Sequence, residues 1–225
     1  MTAALVFLTS FATLVLLADG VSATAHAPIV INGDSEFTPE NGVIGGNGTA
    51  DNPYIIDGWE ISPSYSIGIS IHNTRAHFVV SNVSITCSYY DYYYYLVYLY
   101  DVANGTIRDS QLYGNYYGIY AESSSHVTVS NVTFQEMSSG VYAVYSDDFV
   151  VRDSVMSNCW SYGILFQYSD RLVAENNTFE TSGSYGIYLY DTDDAMMAAN
   201  SFSSVSYAMY SEYGTNLSMV GNEVS

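Results

Sequence analysis

Glycine returns in this chain at a nearly constant interval, each time opening the same triplet. Gly118-Ile119-Tyr120, Gly140-Val141-Tyr142 and Gly186-Ile187-Tyr188 match one another, with Gly163-Ile164-Leu165 among them, and the glycines step by 22, 23 and 23 residues. The frame extends backwards to Leu96-Val97-Tyr98 and Gly68-Ile69, and forwards to Ala208-Met209-Tyr210, so seven units share one register. A self-similar period of this length is the mark of a stacked repeat, in which each unit completes its core only against its neighbours.

Counting the glycine position as zero, the alternating positions of each unit fall at offsets 1 and 3, 9 and 11, and 14 and 16, apolar for the most part but with Ser154 or an asparagine at offset 14 in later units. The unit at Gly118 supplies Ile119/Ala121, Val127/Val129 and Val132/Phe134. Alternation with period two means half-buried strands, because successive side chains leave a strand on opposite faces. The stretches between them are too short for helices. Three short strands per rung of 22 or 23 residues predict an all-β chain wound as a single-stranded parallel β-solenoid, with rungs about 4.8 Å apart.

Composition agrees and narrows the function. The chain has 225 residues, suited to one domain, with 24 Tyr and 17 Gly but only 12% charged residues, a balance that favours strands and turns over a helical bundle. Its 23 Asp and Glu oppose four Arg and no Lys, so the formal net charge is −19. Nucleic acid and anionic membrane surfaces are excluded as partners, since both are held by cations.

The rungs resemble the PbH1-type right-handed parallel β-helix family, which includes pectate-lyase-like and NosD-like proteins. The resemblance rests on the repeat and on Asn177-x-Phe179, Asn200-x-Phe202 and Asn222-x-Val224, whose asparagines share offset 14 in consecutive rungs. A column of stacked side-chain amides is favourable because each can bond the next. The segment from Gly45 to Trp59 also resembles the lead-in of β-helix proteins of archaeal cell surfaces. The family implies a right-handed coil over residues 28–225. It does not imply one activity, because this fold hosts lyases, hydrolases, adhesins and accessory proteins.

Three divisions follow. Residues 1–27 read as a signal peptide or N-terminal anchor: Ala3 to Leu17 is uncharged, and Ala23-x-Ala25 and Ala25-x-Ala27 suit a signal peptidase, although no Lys or Arg precedes the apolar run. This predicts a secreted or surface-displayed protein. Residues 28–62 read as first strands and an N-terminal cap, and 63–225 as the helix proper. The sequence stops in mid-rung at Glu223-Val224-Ser225, which predicts a truncated chain, an edge that pairs with a partner or another copy, or a frayed last coil.

Tyr98, Tyr120, Tyr142, Tyr188 and Tyr210 occupy offset 2, between two inward positions, and so point outward. Tyr95, Tyr117, Tyr162, Tyr185 and Tyr207 form a second column at offset −1. Amphipathic rings in register suit sugar rings or a protein surface, and equally suit stacking that stiffens the solenoid. Tyr92 to Tyr95, in a longer turn, read as an adhesive loop or one folded back on the stack. The offset 2 residues are the expected contact face for envelope glycans or surface proteins.

The opposing reading is a polysaccharide lyase or glycoside hydrolase. Asp147, Asp170 and Asp193 share offset 7, with Asp148 and Arg171 beside them, and a column of hard oxygen donors could hold Ca²⁺. The same column suits Asx-turns, in which Asp bonds nearby backbone. The missing Lys and the acidic charge argue against a polyuronate enzyme. Arg152 and Glu175, in adjacent rungs, read as a surface ion pair. A copper role, suggested only by the resemblance, lacks a suitable ligand set: His72, His77 and His126 are not spaced for one. Cys87 and Cys159 lie three rungs apart, which predicts unpaired thiols. Six Asn-x-Ser/Thr sequons, at Asn47, Asn82, Asn104, Asn131, Asn176 and Asn216, fall in the cap or in turns and predict N-glycosylation of an exported chain.

Overall fold

The computed structural model describes residues 24–63, 67–87, 94–114, 116–180 and 183–225. The apolar leader up to residue 23, and Tyr92 and Tyr93 of the long turn, lie outside the described residues. The chain winds as a parallel β-helix in which equivalent positions of successive rungs are hydrogen-bonded neighbours. Tyr98, Tyr120, Tyr142, Leu165, Tyr188 and Tyr210 are consecutive register partners, the spacing of 22 or 23 residues read from the glycines.

Three sheets run along the coil. The first contains Ile29–Asn32, Ile69–Thr74, Tyr95–Val102, Tyr117–Glu122, Tyr185–Tyr190 and Tyr207–Glu212. The second contains Tyr54–Asp57, Phe78–Ser81, Val150–Arg152, Val173–Glu175, Met196–Ala198 and Ser218–Val220. The third contains Trp59–Ile61, Ser84–Thr86, Thr178–Glu180, Ser201–Ser203 and Glu223–Val224. In the middle rungs the separate strands merge: Gly105–Tyr113 runs through the second and third sheets, Thr128–Val144 through all three, and Val155–Gln167 through the third and first. Residues 28–62 supply a rung of their own through Ile29–Asn32, Tyr54–Asp57 and Trp59–Ile61, each paired in parallel with the rung that follows. The same segment carries two short 3₁₀ turns and an antiparallel pairing of Val43–Gly45 with Tyr54–Asp57. Thr24–His26, inside the stretch read as a leader, pairs with Trp59–Ile61.

The glycine column is explained by close approach. A Cβ on Gly118, Gly140, Gly163 or Gly186 would point at the carbonyl oxygen of the residue below at 2.6, 2.7, 2.7 and 2.6 Å, and also at core rings such as Phe134 and Phe179. The corners have a different rule. At offsets 5, 8 and 13 the backbone turns through the left-handed region, as at Asp101, Asn104 and Asp109 in one rung and Asp191, Asp194 and Ala199 in another, with φ between 51° and 60°. Asn and Asp tolerate this conformation best, which is why they crowd the corners. Tyr145, Tyr168 and Tyr213 occupy the same conformation at offset 5, where a bulky side chain is costly.

Inside, apolar columns fill the coil, including Phe179 stacked on Phe202 at 4.6 Å. Polar ladders join them. Asn177 Nδ2 donates to Asn200 Oδ1 at 3.1 Å and Asn200 Nδ2 to Asn222 Oδ1 at 2.9 Å, while the same amides donate to Val151 and Ala174 carbonyls at 2.8 Å. A serine ladder at another corner links Ser124, Ser146 and Ser169 through backbone N–H to hydroxyl bonds of 3.0 and 2.8 Å. Cys87 and Cys159 are buried and form no disulfide, and burial raises the Cys159 thiol to about 12.

Candidate functional site

The outer face of the first sheet is an aromatic surface. Tyr98, Tyr120, Tyr142 and Tyr188 are half-buried, and Tyr210 in the final rung is exposed. They interleave with the offset −1 column. Tyr95 lies 5.5 Å from Tyr117 and 4.6 Å from Tyr120, both stacked, and further along Tyr185 lies 5.5 Å from Tyr162 and 5.0 Å from Tyr207, again stacked. The outward direction expected from alternation is what the structure has. Stacking along the coil axis, however, covers ring faces with neighbouring rings, so solvent meets ring edges and phenol hydroxyls. A third line, Tyr145, Tyr168, Tyr190 and Tyr213, borders this face at the first corner, with centroid separations of 5.2 to 5.4 Å. Sequence reasoning missed it because Tyr190 sits at offset 4 while Tyr145, Tyr168 and Tyr213 sit at offset 5, breaking strict register.

The packing perturbs the phenols. Burial, then the nearby Glu122 carboxylate, pushes Tyr98 up to about 12. Tyr117 and Tyr120 are raised further, mainly by burial. Tyr98 donates to Glu122 at 3.3 Å and Tyr142 to Gln167 at 2.5 Å. The strands of this face carry no Arg or Lys.

The acidic column stands at another corner, and its oxygens are engaged. Asp147 Oδ1 accepts the Asp170 backbone N–H at 2.9 Å, Asp170 Oδ1 accepts that of Asp193 at 2.9 Å, and Asp193 Oδ1 accepts that of Thr215 at 2.6 Å. This is the Asx-type role, extended from one rung to the next. Arg171 bridges Asp148 at 2.6 and 2.9 Å and reaches Asp147 at 3.3 Å, holding the Asp148 carboxyl below the usual range. A guanidinium therefore neutralises two carboxylates of this corner, Asp147 and Asp148. Among the described residues no group of three or more His, Cys, Asp or Glu is disposed to hold a metal. Arg152 and Glu175 are register partners, yet none of the ion pairs among the described residues joins them.

Of the sequon asparagines, Asn47 is exposed in the N-terminal insert, and Asn82, Asn104, Asn131, Asn176 and Asn216 all sit at left-handed corners. Their amides are in use: Asn82 donates to Asp57 at 2.8 Å, Asn104 to the Arg75 carbonyl at 3.0 Å, Asn131 to Asp109 at 2.8 Å, Asn176 to Asp153 at 2.6 Å, and Asn216 to Asp194. The corner conformation alone accounts for asparagine there. A polar depression of about 400 Å³, lined by Asn82, Asp109, Gln111, Asn131 and Thr133, lies where the second sheet turns into the third. Its outward Gln and Thr could have been read from alternation.

The description "right handed beta helix region" matches residues 95–225. The chain belongs to the right-handed β-helix family. Among solved structures, this β-helix is similar to the enzymatically active domain of tailspike protein 2 from bacteriophage CBA120, at 9% identity and a TM-score of 0.51, covering 91% of this chain and 39% of that one. It is also similar to the A-module of the mannuronan C-5 epimerase AlgE6 of Azotobacter vinelandii, at 14% identity and 0.47, covering 76% and 64% of the two chains. A third is an exopolygalacturonase from Thermotoga maritima, at 11% identity and 0.47, covering 74% and 52%. At such identities the likeness concerns the fold. No curated protein matches the sequence.

Proposed function

We propose that this β-helix is an exported, surface-displayed module that binds neutral glycans, or the glycosylated surface of another protein, through the tyrosine face of its first sheet. The observation that carries this reading is the face itself: two interleaved Tyr columns spanning residues 95–210, with no cation among them. Such a surface presents closely spaced phenol hydroxyls, which can donate to and accept from sugar hydroxyls, on an amphipathic aromatic sheet. A net charge of −19 disfavours polyanionic chains and leaves neutral ones. The leader-like segment agrees with export. The enzyme reading has less footing, because the acidic column is engaged in holding rungs together.

A glycan array probed with the wild-type protein and with a Tyr120→Ala/Tyr142→Ala variant tests it. Binding to neutral glycans that drops at least tenfold in the variant supports the reading. Equal binding by both proteins removes the face as the contact surface.

A further inference from the structure

One position breaks the Tyr column at offset −1. Tyr117, Ser139 and Tyr162 are successive register partners, so a serine stands where the neighbouring rungs carry a ring. In the adjoining column Leu165 replaces tyrosine one rung further on. The filled parts of the column show what is missing. Tyr95 stacks on Tyr117 and Tyr162 on Tyr185, each at 5.5 Å, one ring per rung. Tyr117 and Tyr162 are two rungs apart, about 9.6 Å at the strand spacing, which leaves the width of one ring between them.

Two further irregularities meet there. The Ser139 hydroxyl is buried, with Ser139 only 1% exposed, and it has no hydrogen-bond partner. Most buried hydroxyls are satisfied, and an unmatched one is costly. The strand below is also bulged: Met137 pairs with Cys159 but Ser139 with Tyr162, and the extra residue brings Trp160 to the surface at 44% exposure. Bulges commonly re-aim side chains beside functional sites. Beside this position stands Tyr116, whose carbonyl accepts the Ser139 N–H at 3.0 Å and whose ring lies edge-on to Tyr117 at 4.6 Å.

We propose that the vacancy at Ser139 is a slot for one pyranose unit of a neutral glycan, held between the rings of Tyr117 and Tyr162. A pyranose offers apolar faces to both rings and hydroxyls to the unmatched Ser139 Oγ, which an aromatic guest would leave unpaired. This assignment rests on the glycan-binding reading of the tyrosine face and gives it a location.

Calorimetric titration with cellohexaose, maltohexaose and chitohexaose, with polygalacturonate as the anionic probe, tests the slot. The wild type binds a neutral hexasaccharide and not polygalacturonate. Ser139→Tyr, which completes the column, lowers that affinity at least tenfold while keeping a cooperative melt. Ser139→Ala lowers it about five- to tenfold, the worth of one hydrogen bond. A folded Ser139→Tyr variant that binds within twofold of wild type overturns the slot. If that variant does not fold, wild-type affinity in Ser139→Ala overturns it instead. Loss of binding in Tyr120→Ala/Tyr142→Ala together with full binding by Ser139→Tyr overturns the slot alone, whereas a wild type that binds none of the neutral probes overturns both the slot and the face.

Discussion

The Asn200 side chain accepts two hydrogen bonds at Oδ1, from the backbone N–H and the side-chain amide of Asn177, at 3.0 and 3.1 Å, and its own amide donates to Asn222 and to the Ala174 carbonyl. Each asparagine thus ties its rung to the next one and closes a backbone carbonyl of the rung before. Asn200 is 1% exposed, so no water can replace these partners. Asn200→Ala is expected to lower unfolding free energy by about 2–4 kcal/mol, and Asn200→Asp to do so as well, since a carboxylate cannot donate to Ala174. Chemical denaturation reads this directly, and a loss below about 0.5 kcal/mol would contradict the ladder.

The glycine column makes a paired prediction. At Gly140 an added Cβ meets the Gly163 carbonyl oxygen at 2.7 Å and Met156 at 3.1 Å, so Gly140→Ala is expected to destabilise by about 1–3 kcal/mol. At Gly45 nothing lies within 4 Å, and Gly45→Ala is expected to be neutral or slightly stabilising. Thermal melts of the two variants distinguish close rung contact from a general intolerance of side chains at glycine.

The tyrosine face has a pH signature. Tyr98 ionises near 12 in the folded protein, against an ordinary value near 10, because burial and Glu122 disfavour the phenolate. The folded state holds the phenolic proton more tightly, so this stabilisation is complete below pH about 10 and is lost as pH rises through the window from about 10 to 12. Phenolate absorbance should therefore lag behind that of the denatured chain, and unfolding should follow ionisation. A titration superimposable on that of the denatured protein would mean the rings are not packed as described.

Asp170 separates a structural role from a metal or catalytic one. Its Oδ1 accepts the Asp193 N–H at 2.9 Å, an acceptor that asparagine also provides. Asp170→Asn is expected to keep both stability and glycan binding, Asp170→Ala to lose about 1 kcal/mol of stability, and added CaCl₂ to leave the wild-type Tm unmoved. A rise in Tm with Ca²⁺ that Asp170→Asn abolishes would restore the metal-site reading.

The winding was legible because glycine, apolar alternation and the Asn177/Asn200/Asn222 spacing all repeat with one period, and each corresponds to a contact between equivalent positions of neighbouring rungs. The outward direction of Tyr120 and Tyr142 followed from the same alternation. How those rings use their surface did not follow, since stacking depends on rotamers that no spacing encodes. The corners were half legible: Asp and Asn announce turns, but Tyr145 and Tyr168 take the same left-handed backbone, and Asp170 looks identical in sequence whether it binds an ion or a backbone N–H. Ser139 was invisible for a simpler reason, because an interruption gains meaning only when the rings on either side of it are seen to face each other.

Residue-by-residue chemical-shift mapping of the protein with a bound neutral hexasaccharide decides where contact occurs. The account predicts perturbations confined to the first-sheet strands, at Tyr95–Val102, Tyr117–Glu122 and Tyr185–Tyr190 and around Ser139 and Tyr162. Perturbations clustered instead around Asn82, Gln111 and Thr133, on the polar depression of the opposite corner, would contradict it.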